Sequence, residues 1–158
     1  ITCINIHIIK DAQNIFINCL SSNRNTIYNN NFIYNLTAGK DFKAGRKKSN
    51  IFGANMKVLW MGGRRTTPID LERSIATGET KYTNDNVFGQ RMPDYFRLDA
   101  RVSYRKNNPK WSWVFSLDIQ NLTNRYNIFK ELYDPILQEI DYMEQVGMVP
   151  AFKFRVEL

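Results

Sequence analysis

Between Phe96 and Arg105 the chain changes character at every residue. Phe96, Leu98, Ala100, Val102 and Tyr104 form one set, and Arg97, Asp99, Arg101, Ser103 and Arg105 the other. Successive side chains of a β-strand point to opposite sides, so a strand here has one apolar face and one charged face. A helix would mix the two sets at every turn. The feature demands a sheet with unlike surroundings on its two sides.

The same period recurs along the chain. Trp111, Trp113, Phe115, Leu117 and Ile119 alternate with Ser112, Val114, Ser116, Asp118 and Gln120, and Phe152, Phe154, Val156 and Leu158 with Lys153, Arg155 and Glu157. Upstream, Phe32, Tyr34, Leu36 and Ala38 form one alternating set, and Phe52, Ala54, Met56, Val58 and Trp60 another. The latter is less clean, because Ile51, Leu59 and Met61 fall on its polar side. Strands are expected at 31–43, 50–61, 95–105, 111–121 and 149–158. KNNPK at 106–110 is turn chemistry and makes two of them an antiparallel hairpin. Residues 1–29 stay unassigned: ITCINIHIIK offers a strand with Ile4, Ile6 and Ile8 on one face, and SSNRNTIYNNN is Asn-rich and turn-like.

The connections alternate in length. Those at 44–49 and 106–110 are short, whereas 62–94 and 122–148 are long and carry no clear structure of their own. Long structureless loops are uncommon in compact domains. Short turns at one end and long loops at the other are the habit of up-and-down barrels in outer membranes. The fold class expected is therefore all-β, an antiparallel up-and-down meander forming part of a transmembrane barrel.

Composition narrows the alternatives. In 158 residues, 43% are apolar and 13% aromatic, too apolar for a disordered chain. No run of 18 apolar residues offers a transmembrane helix, which leaves transmembrane strands open. Lys and Arg number 22 against 15 Asp and Glu, a net charge of +7 that permits several anionic partners and selects none. Cys3, Cys19 and the lone His7 are too few for a zinc site, although one disulfide is open to the two thiols. The chain opens on Ile with no basic n-region or cleavage site, and reads as the tail of something larger.

A soluble β-sandwich would also give each strand an apolar face. Aromatic placement favours lipid. Trp111, Trp113 and Tyr104 flank the short turn, Trp60 ends a strand beside a long connection, and Tyr95 and Phe96 begin one after it. Aromatic residues at strand ends make the girdles that sit at headgroup level.

These residues carry a family resemblance. The segments YNLTAGKDF (34–42), GGRRTTPIDLERSIATGET (62–80), RMPDYFRLDARVSYRKN (91–107), WVFSLDIQNLTNRYN (113–127) and GMVPAFKFRVEL (147–158) stand in order. From Asn30 onward the chain resembles the C-terminal barrel strands of TonB-dependent outer-membrane receptors of Bacteroidetes-type bacteria. The resemblance implies a barrel of about 22 strands around a plug domain, a bacterial outer-membrane location and import of a large substrate (glycan, siderophore, cobalamin or peptide). The implied partners are outer-membrane lipid, the barrel assembly machinery, the plug and upstream strands, TonB through an N-terminal part, and a surface lipoprotein. No nucleic acid and no cofactor is implied. The family usually ends in Phe, and here Leu158 stands last, with Phe152, Phe154 and Val156 at alternate positions before it. With Leu158 in the periplasm, the long connections fall outside the cell and the short turns inside, as barrels require.

Side chains then take roles. Phe96, Leu98, Trp111, Trp113, Phe115, Phe152 and Phe154 would face lipid. Arg97, Asp99, Arg101, Arg105 and Asp118 would face the lumen or plug. Arg64, Arg65, Asp70, Glu72 and Arg73 in the first long connection, and Tyr126, Phe129, Lys130, Glu131, Tyr133, Asp134 and Tyr142 in the second, are ligand candidates, because binding residues favour loops on rigid scaffolds. Nothing points to an enzyme: Asp99 and Asp118 stand on separate strands, and Gly62-Gly63-Arg64-Arg65 lacks the Lys-Ser/Thr of a phosphate loop. The NLT triplets at 35–37 and 121–123 lie on or beside strands and read as coincidental glycosylation matches. The competing readings are a passive porin and a soluble basic β-domain binding nucleic acid or polyanion. The latter has one short basic cluster, GRKK at 45–48, to rest on.

Overall fold

The computed structural model describes residues 2–9, 12–16, 30–45 and 49–157. Cys19, Arg46, Lys47, Lys48 and Leu158, and with them the expectations placed there, lie outside the described residues. The five expected strands form as β3 (Phe32–Ala44), β4 (Asn50–Met61), β7 (Tyr95–Asn107), β8 (Ser112–Gln120) and β11 (Val149–Glu157). They pair antiparallel in the order β3-β4-β7-β8-β11, each neighbour in sequence being a neighbour in space. Among the described residues this sheet does not close on itself, and β11 ends it at one edge.

Three expectations need correction. First, Trp111 is not a strand residue: β8 starts at Ser112, and the Trp111 carbonyl closes the turn by accepting the Asn108 N–H at 2.9 Å. The rigid φ of Pro109 places the turn one residue later than alternation alone indicates. Second, the sheet extends beyond the five antiparallel strands of the meander into the segment left unassigned. β1 (Thr2–Ile9) and β2 (Ala12–Phe16) form a hairpin, and β1 joins β3 in parallel, Thr2 opposite Phe32. A parallel pairing needs a connection of about a dozen residues or more, and the chain between Ile9 and Phe32, which includes β2, supplies it.

Third, the long connections carry structure. In the first, β5 (Arg65–Thr66) pairs with β6 (Gln90–Arg91), and between them stands the helix α1 (Leu71–Thr77). Asp70 caps α1 by accepting the Arg73 N–H at 3.0 Å, and Gly78 ends it in a left-handed conformation. The second holds the hairpin of β9 (Ile128–Asp134) and β10 (Glu139–Glu144). The Asp134 carboxylate accepts the N–H groups of Ile136 and Leu137, and Gln138 takes a positive φ.

Burial is distributed unusually. Among the described residues the buried apolar side chains, Ile69, Met92 and Tyr133, all belong to the long connections. The five-stranded sheet contributes none, although its strands are rich in apolar residues. No second layer covers it among the described residues.

Candidate functional site

Strand register turns the sequence alternation into two surfaces. On one, Phe42, Phe52, Tyr104, Phe115 and Phe154 stand opposite one another in a single row across all five strands, at the end of the short turns. Tyr34, Trp60 and Phe96 form the corresponding row at the other end. Between them lie aliphatic rows: Leu36, Val58 and Leu98, then Ala38, Met56, Ala100, Ile119 and Pro150. The rings touch within each band, Phe32 and Trp60 edge-on at 5.0 Å, Phe42 and Phe52 at 6.3 Å, and Trp113 and Phe154 at 6.1 Å. Lys40 interrupts the surface, and its ammonium lies 5.4 Å from the Phe42 ring, directed toward the aromatic band. This face is open: Phe152 is 71% exposed, Phe154 65% and Met56 51%.

The opposite face is charged. Arg97 donates two hydrogen bonds of 2.7 Å to Asp99, Arg101 lies 3.3 Å from Asp118, and both Arg105 and Arg155 reach Glu157. Lys43, Lys57 and Lys153 add cations, and Asp41 an anion, so positive charge prevails. Arg101, Arg105, Lys153 and Arg155 surround a hollow of about 350 Å³ with Ser103 and Ser116 at its floor. The expected lumen set Arg97, Asp99, Arg101, Arg105 and Asp118 thus shares one face. The expected lipid set, Phe96, Leu98, Trp113, Phe115, Phe152 and Phe154, shares the other. Trp111 stands apart in its turn.

At the end remote from the short turns the two long connections fold into one cap, and backbone contacts explain its motifs. A side chain on Gly63 would collide with the Met92 carbonyl, so only glycine fits there. The Gly63 N–H donates to Asp94 at 3.0 Å, Arg91 donates to the Gly63 carbonyl at 2.8 Å, and the Met92 N–H to the Arg64 carbonyl at 3.0 Å. GGRR and RMPD are therefore the two ends of one loop, fastened together.

The stretch NLTNRYN (121–127) has a structural role as well. Asn121 and Asn124 adopt positive φ, which asparagine tolerates better than most residues. The buried Asn121 side chain accepts from the Arg125 N–H and donates to the Arg125 carbonyl, and its own N–H donates to Asp99. Asn124 accepts the Met148 N–H at 2.8 Å. Buried Asn127 accepts the Phe96 N–H at 3.1 Å and donates to the Phe96 carbonyl at 2.9 Å, completing the edge of β7 as a strand would. These asparagines were not among the candidate residues. Their crowding at a strand end is the signal that could have drawn attention to them.

The ligand candidates divide accordingly. Tyr133 is buried, with its N–H on Thr80, and belongs to the packing between the connections. Asp70 is a helix cap and Asp134 a turn anchor. Arg65 donates to the Phe88 carbonyl at 3.1 Å, and Arg64 lies 5.3 Å from the Phe129 ring. Glu131 is buried between the connections, accepting from Gln90 at 3.3 Å, and that burial raises its carboxyl pKa above the ordinary glutamate value. At exposed Glu79 the hydrogen bond from Lys81 lowers it. Glu72, Arg73, Tyr126, Phe129, Lys130 and Tyr142 remain exposed. No cluster of His, Cys, Asp or Glu fit for a metal occurs among the described residues. No helix among them is long and apolar enough to cross a membrane. Comparison of the chain with protein-family models, curated proteins and solved structures finds no match.

Proposed function

We propose that this chain forms the C-terminal wall of an outer-membrane β-barrel, in a receptor of the TonB-dependent kind that imports a substrate through the barrel. The observation that carries the reading is the outward row of Phe42, Phe52, Tyr104, Phe115 and Phe154, parallel to the row of Tyr34, Trp60 and Phe96, with aliphatic side chains between. Eight residues separate the rows along β3. At about 3.3 Å per residue that is about 26 Å, or about 20 Å vertically for a strand tilted by about 40°. Aromatic rings at headgroup level flanking an apolar band are what a lipid-facing wall presents. In water the same surface would leave Phe152 and Phe154 more than half exposed with nothing to cover them.

The charged face then lines the interior. Its partly exposed ion pairs add little to stability. Its prevailing positive charge suits a plug, or upstream strands, with acidic surface. The cap of the two long connections stands on the cell surface, where substrate and a surface lipoprotein would be met. TonB would be engaged through a separate N-terminal part, and the assembly machinery would meet the edge strand β11.

The test is accessibility. Spin labels at Phe115 and at Arg101, in the protein residing in its membrane, are exposed in turn to a lipid-soluble and a water-soluble relaxation agent. The label at 115 is expected to respond to the lipid-soluble agent and that at 101 to the water-soluble one. A label at 115 shielded from the lipid-soluble agent overturns the reading. A soluble basic domain would instead show salt-dependent binding of DNA.

A further inference from the structure

Leu59 and Met61 stand on the charged face of β4, where an interior wall needs neither. The fold gives them a purpose. Together with Met92, Pro93, Tyr95 and Ile128 they line a cavity of about 480 Å³ at the cap end of that face. This is within the range of small-molecule sites, which are mostly apolar with a few placed polar groups. Its polar groups are Arg64, Asn30 and Gln145, and no acidic side chain lines it. Arg64 sits against the Phe129 ring. The Asn30 side-chain oxygen is buried without a hydrogen-bond donor, which carries a cost unless a ligand supplies one.

We propose that this cavity binds the apolar terminal residue of a peptide: an aromatic-sized side chain on the Leu59, Met61 and Met92 walls, the adjoining carboxylate on Arg64, and the adjoining N–H on Asn30. It rests on the receptor reading and narrows the substrate. A glycan would leave these apolar walls without complement, whereas an apolar side chain flanked by a carboxylate and an N–H uses each group present.

The probe is N-acetyl-4-benzoylphenylalanine, irradiated with membranes from cells that make the protein. Benzophenones insert preferentially at methionine, so mass spectrometry of the adducts reports the site. Adducts are expected on Met61 or Met92, suppressed by excess N-acetylphenylalanine. They should fall at least about tenfold in Arg64→Leu, which removes a charge-assisted bond without adding a methionine to the cavity. Met56 is the internal control, because it stands on the outward apolar face. A probe that marks Met56 alone, labelling that excess competitor leaves unchanged, or an Arg64→Leu variant labelled like the parent overturns the site. A phospholipid with benzophenone on its acyl chain separates the two proposals. Its failure to mark Met56 overturns the lipid-facing wall, while the adducts on Met61 and Met92 judge the cavity independently.

Discussion

The wall and the cap are built from the same chain by opposite rules. In the wall, β3, β4, β7, β8 and β11 show their largest apolar side chains outward, and backbone ladders hold the strands together. In the cap, Ile69, Met92 and Tyr133 turn inward to form a small core, and side chains of Asn121, Asn124, Asn127, Asp94 and Asp134 satisfy the backbone one group at a time. On the proposed membrane reading, each region obeys its own solvent. An apolar surface directed at hydrocarbon costs nothing, whereas a loop in water must bury what little apolar surface it has.

The sharpest way to break this contrast is to place one charge on each face of the wall. Met56→Arg, on the outward face of β4 in the row midway between the aromatic bands, is expected to cost about 2–4 kcal/mol when unfolding by urea is followed from lipid vesicles. Ala151→Arg, on the charged face opposite Asp118, is expected to change stability by less than about 0.5 kcal/mol. Equal costs would abolish the distinction between the faces.

A smaller effect is expected where cap meets wall. Asn127→Ala leaves the Phe96 N–H and carbonyl unpaired, a local loss of about 1–3 kcal/mol. Protease should then nick residues 122–148 at least several-fold faster while the wall's unfolding midpoint stays in place. A wall that melts together with the cap would show that the two are one cooperative unit.

Proton uptake sharpens the comparison further. Because burial raises the Glu131 pKa above its ordinary value of 4.5, the folded cap holds that proton more tightly than the unfolded one. Cap stability therefore falls as pH rises from that ordinary value through the raised one, and is greatest below it. Protection of residues 122–148 from protease should be stronger in mild acid than at neutral pH, and Glu131→Gln should remove the slope. Least of all is expected from Glu79→Gln, which breaks an exposed pair with Lys81 and should leave both cap and wall unchanged in the same assays.

The wall was legible because its period is two, cleanly along β7 and less so along β4, where Ile51, Leu59 and Met61 fall on the charged face. The register across strands followed from short turns such as the one at Pro109. The cap was not legible in the same way. α1 did carry its signals, Asp70 before it and Gly78 after it, but seven residues give too short a helical period to stand out. The β9–β10 hairpin lacks an Asn-Gly turn, and is closed instead by the Asp134 side chain and a strained Gln138. Among the candidate residues, those whose role depends on strand parity fell where alternation put them, except Trp111, which lies in the turn before β8. Those in the long connections could not be sorted, because which of Tyr133, Tyr126 and Tyr142 is buried depends on contacts between segments far apart in sequence.

One consequence follows from the edge of β11. The strand pairs with β8 on one side, and among the described residues no strand pairs with its other side, which Phe152 and Phe154 flank. Released into buffer before it meets a membrane, such a border would recruit other copies and grow by stacking. Under the proposed membrane placement, the chain's greatest hazard is therefore the journey to the bilayer, where escort would matter as much as any feature of its final form.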